Sequence, residues 1–471
     1  MKTGTAVVIG GSIAGSCAAR VLADHFARVV VLDRDAFPQG ALGRPGVPQS
    51  RHVHTLLARG CAELERLFPG FEATMLAQGA LRIDFGTEFA TLRRDGWAPR
   101  LPGGVPTLFA SRNLLESIVR DALRRVPNVD LRERTTATGL RASDGAERRV
   151  RAVCTSGPDG ENELEADLVV GAGGRSSRAP EWLRHLGLEP PAETVIDSHA
   201  GYSTRWFTAP ARLPSEWWWK AIWLDIDLDR PESSMAGVLF PVEGRQWIVT
   251  LAGVAGHYLP SDEEGFMRAL HALRSPIIAE AVARATPASR VYSYRAMANR
   301  HRHYERWPAR LGGFVAVGDA ACTFNPVYGQ GMTTGAVSAR ILGDCLARDD
   351  AREVGFPRRF FRAQSRLQRD AWAMATGADF RLGTTEGKRP FGFAWSSRYM
   401  DELFRATYDD VALRTLVSEV MNMLRPPAAL FTPRVAAKVA LRALRRGFKP
   451  PAPASDVPAF PPQDGATVRA A

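Results

Sequence analysis

The chain has 471 residues with a formal net charge of +11 at pH 7, and 45% of its residues are hydrophobic while 24% are charged. This composition excludes a fibrous or wholly disordered protein, and the length allows two or three domains with separate cores. The basic residues are scattered without a nucleic-acid-binding motif, so we expect anionic cofactors or substrates and no nucleic-acid partner.

The N-terminal segment has the pattern of a dinucleotide-binding turn. An apolar strand at residues 6–9 runs into a glycine-rich turn, and helical spacing follows. The turn consists of Gly10, Gly11, Ser12, Ile13, Ala14 and Gly15. Glycines at such a turn let the helix N-terminus approach a pyrophosphate, although Ser12 stands where the usual pattern has a glycine. A second strand at residues 29–32 ends in Asp33 and Arg34, and an acid at this spacing accepts ribose hydroxyls. This order predicts a bound dinucleotide.

The middle of the chain is rich in tryptophan and in alternating apolar residues. The alternation predicts strands of an antiparallel sheet at residues 203–207, 221–225, 236–240 and 246–251. The candidate substrate contacts are Trp206, Trp219, Trp223, Phe240, Tyr294 and Arg295. The aromatic side chains either line an apolar pocket or fill the core of the sheet, and the sequence leaves both readings open.

A second glycine-containing turn follows the apolar strand at residues 314–317. Gly318 and Asp319 come first, and Asp319 can accept hydrogen bonds from ribityl or ribose hydroxyls. The flavin-edge loop, residues 326–332, comes next and contains Pro326, Gly329, Gln330, Gly331 and Met332. Its amides suit the negative charge that develops on one edge of a reduced flavin ring. The alternative is an ordinary strand-to-helix turn with Asp319 as the N-cap.

Together with residues 46–54 and 111–115, these two turns resemble those of FAD-dependent monooxygenases of the aromatic-hydroxylase fold. Within that superfamily the chain most resembles bacterial epoxidases and hydroxylases of secondary metabolism, including polyether epoxidases. The resemblance runs from residue 5 to about residue 345. It implies an α/β fold with a Rossmann-like FAD-binding domain, an inserted antiparallel β-sheet substrate domain and a helical C-terminal region. It also implies that Arg51 and Arg112 contact the FAD.

The resemblance and the sequence pattern together predict the domain boundaries. We expect an FAD-binding domain at residues 1–180 that returns at 306–350, a substrate-binding β-sheet domain at 181–305, a helical region at 351–449 and a disordered tail at 450–471. In the helical region, Pro433 to Phe448 forms a basic amphipathic helix. This helix either makes a peripheral contact with a membrane or is a solvated face over its own domain.

The resemblance implies oxygenation through a flavin C4a-hydroperoxide, which delivers one oxygen atom of O2 to an electron-rich carbon. The substrate is then an apolar alkene or aromatic intermediate of a natural product, such as a polyketide, a terpenoid or a polycyclic aromatic. A phenol hydroxylase needs a base near the ring oxygen. The sequence offers no clear base, and this favours epoxidation over hydroxylation. No side chain is assigned as catalytic beyond the flavin-edge loop.

The resemblance also implies NADPH or NADH as the electron donor, acting directly or through a partner flavin reductase. The family's hydroxylases usually carry Asp-Gly where this chain has Gly173 and Gly174. In those proteins the aspartate is associated with handling both FAD and the pyridine nucleotide. Arg175 and Ser177 remain as candidate phosphate or ring contacts. The alternatives are a flavin-dependent prenyl reductase and a noncatalytic FAD-fold binding protein for lipidated partners. A flavin-dependent halogenase is disfavoured, because the Trp-x-Trp-x-Ile-Pro signature of that branch is absent.

The remaining sequence features predict neither covalent crosslinks nor metals. The cysteines have no close paired spacing, so neither a disulfide framework nor a zinc site is indicated, and we expect no metal. No apolar run approaches the ~20 residues of a membrane-spanning helix, and we expect a cytoplasmic protein.

Overall fold

A parallel β-sheet forms the centre of the cofactor-binding half of the molecule. The computed structural model describes residues 2–145, 147–228, 231, 234–446 and 457–463. In the order in which they lie side by side, the strands of this sheet are Phe314–Ala316, Leu168–Gly171, Thr5–Ile9, Arg28–Leu32 and Val129–Arg132. Each neighbouring pair is parallel. The Val- and Ala-rich strands are almost fully buried, as expected when helices cover both faces of a parallel sheet.

Helix packing brings the two glycine-containing turns together. The helices of this half are Ile13–Leu22, Ala58–Leu67, Phe71–Ala77, Arg112–Arg124, Ala179–His185 and Gln330–Leu346. The first and last of these contact each other through small residues. A Cβ atom on Gly335 would lie 2.9 Å from the Cβ of Ala14, and one on Gly318 would lie 2.8 Å from it. Because only glycine fits at these points, the N-terminal turn and Asp319 meet at one end of the sheet.

A second, larger sheet forms the substrate half. Its strands are Thr286–Pro287, Gly201–Thr208, Gln246–Gly253, Ala236–Val242, Ala221–Leu224, Phe89–Arg93 and Gly96–Trp97 in spatial order, and Tyr292–Tyr294 also pairs with Gly201–Thr208. The helices Glu263–His271 and Ile277–Ala283 pack on it. The sheet is antiparallel except where Phe89–Arg93 runs parallel to Ala221–Leu224. Two strands therefore come from the segment that the sequence assigned to the cofactor domain.

Three small sheets complete the strand inventory of the described residues. Their strands are Thr136–Ala142, Val150–Gly157 and Gly160–Glu165; Leu81–Asp84 and Pro106–Phe109; and Glu193–Ile196, Asn299–Arg302 and Cys322–Thr323. Each of these sheets is antiparallel. The last connects the two halves of the molecule, because Asn299–Arg302 pairs with the strand that follows Asp319.

The C-terminal region is helical, as predicted. Its helices are Phe356–Asp379, Phe393–Ala406, Val411–Met421 and Pro433–Arg446, and the last three share a small apolar core. In Pro433–Arg446, Lys438 lies 2.5 Å from a carboxylate oxygen of Asp410, and Arg442 lies 3.0 Å from the same oxygen. These two charges are thus engaged within the chain, which favours the solvated-face reading over membrane contact. Phe448 lies outside the described residues.

The fold class predicted from the sequence is confirmed. A parallel sheet of Rossmann type, an inserted and largely antiparallel sheet and a helical C-terminal region are all present. In the described part of the chain, every helix is too short or too polar to cross a lipid bilayer. Residues 457–463 of the predicted tail pack on the substrate half, where the carbonyl oxygen of Pro458 accepts a 2.8 Å hydrogen bond from Trp97. The rest of that tail lies outside the described residues.

Candidate active site

A cavity of about 1520 Å³ runs between the two large sheets and the C-terminal helices. It collects most of the predicted site residues: Gly10, Ser12, Ile13, Ala14, Asp33, Arg34, Arg112, Arg175, Ser177, Asp319 and the named residues of the flavin-edge loop. Gly11, Gly15 and Gly318 are not among the lining residues. Single-ligand pockets are typically ~300–1,000 Å³. The cavity therefore has room for a dinucleotide and a further substrate.

The glycines of the N-terminal turn are required by close backbone approach. A Cβ atom on Gly15 would lie 1.8 Å from the carbonyl oxygen of Gly10, and one on Gly10 would lie 2.5 Å from that of Ala172. Gly10 also has a φ of +110°, which side chains rarely adopt. The amide of Gly11 donates a 2.8 Å hydrogen bond to Asp33, which fixes this acid at the mouth of the turn. The local geometry is thus that of a phosphate-binding turn.

Ser12 has its own partners. Its hydroxyl donates to Glu116 and accepts a 2.9 Å hydrogen bond from Arg112. Arg112 is only 7% exposed, and its Nε atom is buried without a hydrogen-bond partner among the described residues. An orphaned, buried guanidinium nitrogen beside a glycine turn suits a phosphate oxygen.

Arg44 is a residue that the sequence reasoning missed. Its Nη1 atom lies 2.9 Å from Asp33 and 2.8 Å from Asp35, and its Nε atom lies 3.2 Å from Glu116. The predicted cofactor contact in this loop, Arg51, lies elsewhere. Arg51 is exposed, and its guanidinium stacks on Tyr292 at 5.0 Å from the ring centroid. Both arginines belong to the same broken loop, so no signal in the sequence separates them.

Asp319 lines the cavity where the two turns meet. Burial raises the pKa of its carboxyl group, while Arg175 and Arg112 act in the opposite direction. A Cβ atom on Gly331 would lie 3.4 Å from the Asp319 Oδ1 atom, so the carboxylate is close to the flavin-edge loop. That loop turns at Gly329, which has a φ of +62°, and the helix Gln330–Leu346 begins there. The first amides of a helix have no intrahelical acceptor and are available to a ligand.

The flavin-edge loop is anchored by a carboxylate that the sequence reasoning did not single out. Asp379 accepts a 2.6 Å hydrogen bond from Asn299 and a 2.9 Å hydrogen bond from Asn325. The amide of Asn325 in turn donates to the side chain of Asn299 at 2.7 Å. Burial raises the pKa of Asp379 to about 6. Because Asn325 directly precedes Pro326, this network fixes the start of the loop.

The structure divides the predicted substrate residues into two groups. Trp223, Phe240 and Tyr294 line the cavity, together with Phe85 and Phe89. Trp206, Trp219 and Arg295 are not among its lining residues.

Local contacts explain why Trp206, Trp219 and Arg295 do not line the cavity. Trp219 is 4% exposed in the sheet core, stacked on Trp217 at a centroid distance of 4.7 Å. Trp206 donates a 2.8 Å hydrogen bond to the backbone of Arg51, and Arg295 stacks on Tyr258. Some aromatic residues of this half, such as Trp223 and Phe240, therefore line the cavity, whereas Trp219 fills the core of the sheet.

Two histidines of the loop at residues 46–54 also line the cavity. His52 Nδ1 lies 2.8 Å from the hydroxyl of Thr204, which lies 2.6 Å from that of Thr250. Burial, with a further contribution from Arg51, lowers the pKa of His52 to about 4. Burial and Arg112 lower the pKa of His54 to about 3. Both rings are therefore neutral, weakly basic groups at neutral pH.

Comparison with known proteins identifies similar chains. A family model described as an FAD binding domain matches residues 3–349. Protein Rv3254 of Mycobacterium tuberculosis is 34% identical over 400 residues, which cover 81% of each chain. The flavin-dependent brominase Bmp2 has a TM-score of 0.65 at 13% identity, with 95% of this chain and 100% of that chain covered. OxyS anhydrotetracycline hydroxylase from Streptomyces rimosus has a TM-score of 0.60 at 18% identity, with 90% and 77% covered. At these identities the two structures share the fold alone.

A phosphate-binding glycine turn beside an acid, joined to a second turn that presents backbone amides, defines a dinucleotide-binding flavoprotein. The match over residues 3–349 and the relative in Mycobacterium tuberculosis then fix the family. The chain belongs to the FAD-binding-domain family of the aromatic-hydroxylase type. The resemblance found in the sequence is thereby confirmed.

Proposed function

We propose that this chain is an FAD-dependent monooxygenase, which inserts one oxygen atom from O2 into an apolar alkene or aromatic intermediate of a natural product, with epoxidation favoured over hydroxylation. The observation that carries the proposal is the aromatic wall of Trp223, Phe240, Phe85 and Phe89, which shares one cavity with the flavin-edge loop. Such a wall favours a polyketide, a terpenoid or a polycyclic aromatic substrate.

The residues that line the cavity fit FAD. Asp33 accepts the ribose hydroxyls of the adenosine, and the orphaned Nε atom of Arg112 donates to the pyrophosphate. Asp319 accepts from the ribityl chain. The amides of the flavin-edge loop stabilise negative charge at the ring edge. When bound and reduced, FAD supplies the electrons that activate O2.

Three acid–base groups that line the cavity, His52, His54 and Asp379, support epoxidation. A base that ionises a phenol works best with a pKa near the working pH. His52 and His54 are weaker bases, with pKa values of about 4 and about 3. The pKa of Asp379 is about 6, but both of its carboxylate oxygens are engaged by asparagine amides. An alkene needs no deprotonation, so this set of side chains suits it better than a phenol.

The proposal includes NADPH or NADH as the source of electrons, directly or through a partner flavin reductase. Gly173 and Gly174 line the cavity where the resembled hydroxylases carry an aspartate and a glycine. Arg175, which follows these glycines and also lines the cavity, is a cation that suits a nucleotide phosphate. We also propose a cytoplasmic location, because all five cysteines are free thiols, as is usual in a reducing compartment.

The test is oxygenation by the purified full-length protein with its FAD. NADPH, NADH, or NADH with a flavin reductase is supplied under 18O2, together with a panel of polyenes, terpenoids and polycyclic aromatics. We expect the product of an alkene substrate to gain one 18O atom. A product that gains two hydrogens and no 18O identifies a double-bond reductase. Retained flavin and ligand binding without turnover of any panel compound or consumption of the reductant identifies a noncatalytic binding protein.

Two tryptophans of the substrate sheet provide a matched pair of variants. Trp223 lines the cavity, whereas Trp219 lies in the sheet core. Trp223→Phe should raise KM for large apolar substrates or change the oxygenated position, because it alters the wall. Trp219→Phe should leave both unchanged at equal flavin content. Equal effects of the two variants would argue against the proposed substrate wall.

A further inference from the structure

Three side chains outside the cavity bring their metal-ligating atoms together. His301 lies in the strand Asn299–Arg302, His303 follows that strand, and Glu305 lies in the next turn. One ligand atom from each lies within 4.8 Å of the others. Alternate residues of an extended segment point to the same side, which accounts for the two histidines. The turn Tyr304–Arg306 then brings Glu305 back to them.

Two atoms of this cluster have no partner. His301 Nε2 and Glu305 Oε2 lie 3.8 Å apart, and both are buried without a hydrogen bond among the described residues. The His301 side chain is only 9% exposed. A buried polar atom left unpaired costs ~1–3 kcal/mol. A bound ion that contacts both the imidazole nitrogen and the carboxylate oxygen would remove this cost.

His303 is oriented as a ligand would be. Its Nδ1 atom lies 3.0 Å from Glu305 Oε1, and its Nε2 atom lies 2.8 Å from the hydroxyl of Thr194. Histidines that bind metals usually hydrogen-bond through the other ring nitrogen, which fixes the tautomer and the ring plane. Thr194 can provide this bond by accepting from Nε2–H, and Nδ1 is then free to donate its lone pair.

We propose that His301 Nε2, His303 Nδ1 and the Glu305 carboxylate bind one divalent transition-metal ion of the zinc type. Two imidazoles and a carboxylate are a donor set that zinc accepts, and a water molecule completes the tetrahedron. Zinc–ligand bonds of ~2.1 Å place ligand atoms ~3.4 Å apart. The three side chains thus need to close by about 1 Å on the ion, a movement within the reach of side-chain torsions. No metal was expected from the sequence, because the spacing of the cysteines does not indicate a zinc site.

The position of the cluster gives the ion a structural role. His301 is opposite Cys322 in the strand pairing, and Cys322–Thr323 leads directly to the flavin-edge loop. The ion therefore braces the strand behind that loop and takes no part in oxygenation. Arg306 lies 3.6 Å from Glu305 Oε1, but its side chain is 80% exposed and free to move into solvent when the ion binds.

The test is metal binding by the full-length flavoprotein after removal of any purification tag. The protein is treated with a chelator, exchanged into metal-free buffer, given Zn²⁺ and desalted, and its zinc and flavin contents are measured. We expect one zinc ion per chain and a zinc-dependent rise in Tm. His303→Ala and Glu305→Gln should lose both the zinc and the rise in Tm while they retain their flavin.

His199→Ala provides the matched control. His199 Nε2 lies 3.0 Å from Glu386, so it is a histidine–carboxylate contact with a single imidazole. This variant should bind zinc as the unaltered protein does. Zinc bound at well below one equivalent in the unaltered protein would overturn the proposal. Stoichiometric zinc that persists in both His303→Ala and Glu305→Gln would also overturn it, since another site would then hold the ion.

Discussion

Asp379 accepts a 2.9 Å hydrogen bond from the side chain of Asn325, and this contact joins the end of the helix Phe356–Asp379 to the residue before the flavin-edge loop. The two residues are 54 positions apart in the chain. The C-terminal helical region is therefore a part of the framework of the candidate active site, because it holds the loop that lines the cavity.

The raised pKa of Asp379 predicts a pH-dependent stability. The pKa of this carboxyl group rises from 3.8 to about 6 on folding. The folded state then binds more protons than the unfolded state between these values, so the free energy of unfolding falls as pH rises from about 4 to about 6. The shift corresponds to ~3 kcal/mol. Asp379→Asn lacks this titration. Urea unfolding of both proteins measures the difference. Between pH about 4 and about 6, the free energy of unfolding of the unaltered protein should fall by up to ~3 kcal/mol relative to that of Asp379→Asn. Parallel pH profiles of the two proteins would contradict the prediction.

Removing the Asp319 carboxylate should release the flavin. Asp319→Ala deletes the proposed acceptor of the ribityl hydroxyls, and charge-assisted hydrogen bonds contribute ~1.5–3 kcal/mol each. We expect the Kd for FAD to rise at least ~10-fold. The measurement is fluorescence titration of the apoprotein with FAD. Asp130→Ala, at a partly exposed carboxylate, serves as the control and should bind normally. Equal affinities in the two variants would remove Asp319 from the site.

Gly331 should tolerate a methyl group but not a larger side chain. Its Cβ position lies 3.4 Å from Asp319 Oδ1, which is ordinary contact, so Gly331→Ala should fold and bind flavin. Gly331→Val adds two methyl groups beside the proposed ring position. It should keep its Tm as an apoprotein and lose most of its flavin absorbance. Full flavin occupancy in Gly331→Val would place the ring elsewhere.

The buried cluster around Arg44 should contribute strongly to stability. Arg44→Ala leaves Asp33, Asp35 and Glu116 without their shared cation, and breaking a buried ion pair costs ~3–5 kcal/mol. Arg28→Ala is the control, because its 3.1 Å contact with Asp130 is half-exposed and should contribute less than ~1 kcal/mol. Chemical denaturation measures both losses. Similar losses in the two variants would mean that the Arg44 network adds little.

The N-terminal turn should be intolerant of the smallest substitution at Gly15. A methyl group there would meet the Gly10 carbonyl oxygen at 1.8 Å, so the turn must open, at a cost of about 3 kcal/mol. Gly383→Ala meets no atom within 4 Å and should be neutral or slightly stabilising. Thermal unfolding and FAD content report the difference. A Gly15→Ala protein with normal Tm and flavin would refute this account of the turn.

The sequence predicted the fold and the two glycine-containing turns because their signals are local. A strand, a glycine turn and an acid in order are constrained by neighbours in the chain. Arg44 and Arg51 were not separable, because the choice depends on how an irregular loop folds back onto Asp33. Asp379 was missed because its partners come from two distant segments. The pairing of Phe89–Arg93 with Ala221–Leu224 was not predicted, since alternation of apolar residues does not identify the neighbouring strand.

The parallel pairing of Phe89–Arg93 with Ala221–Leu224 has a consequence for engineering this enzyme. The large sheet of the substrate half is built from two separate stretches of chain, residues 89–97 and residues 201–294. A chimera that exchanges only residues 181–305 with a relative would pair Ala221–Leu224 with a neighbouring strand from the other protein, because Phe89–Arg93 would not be exchanged. To transfer substrate preference between relatives, residues 81–109 must therefore be exchanged together with residues 181–305.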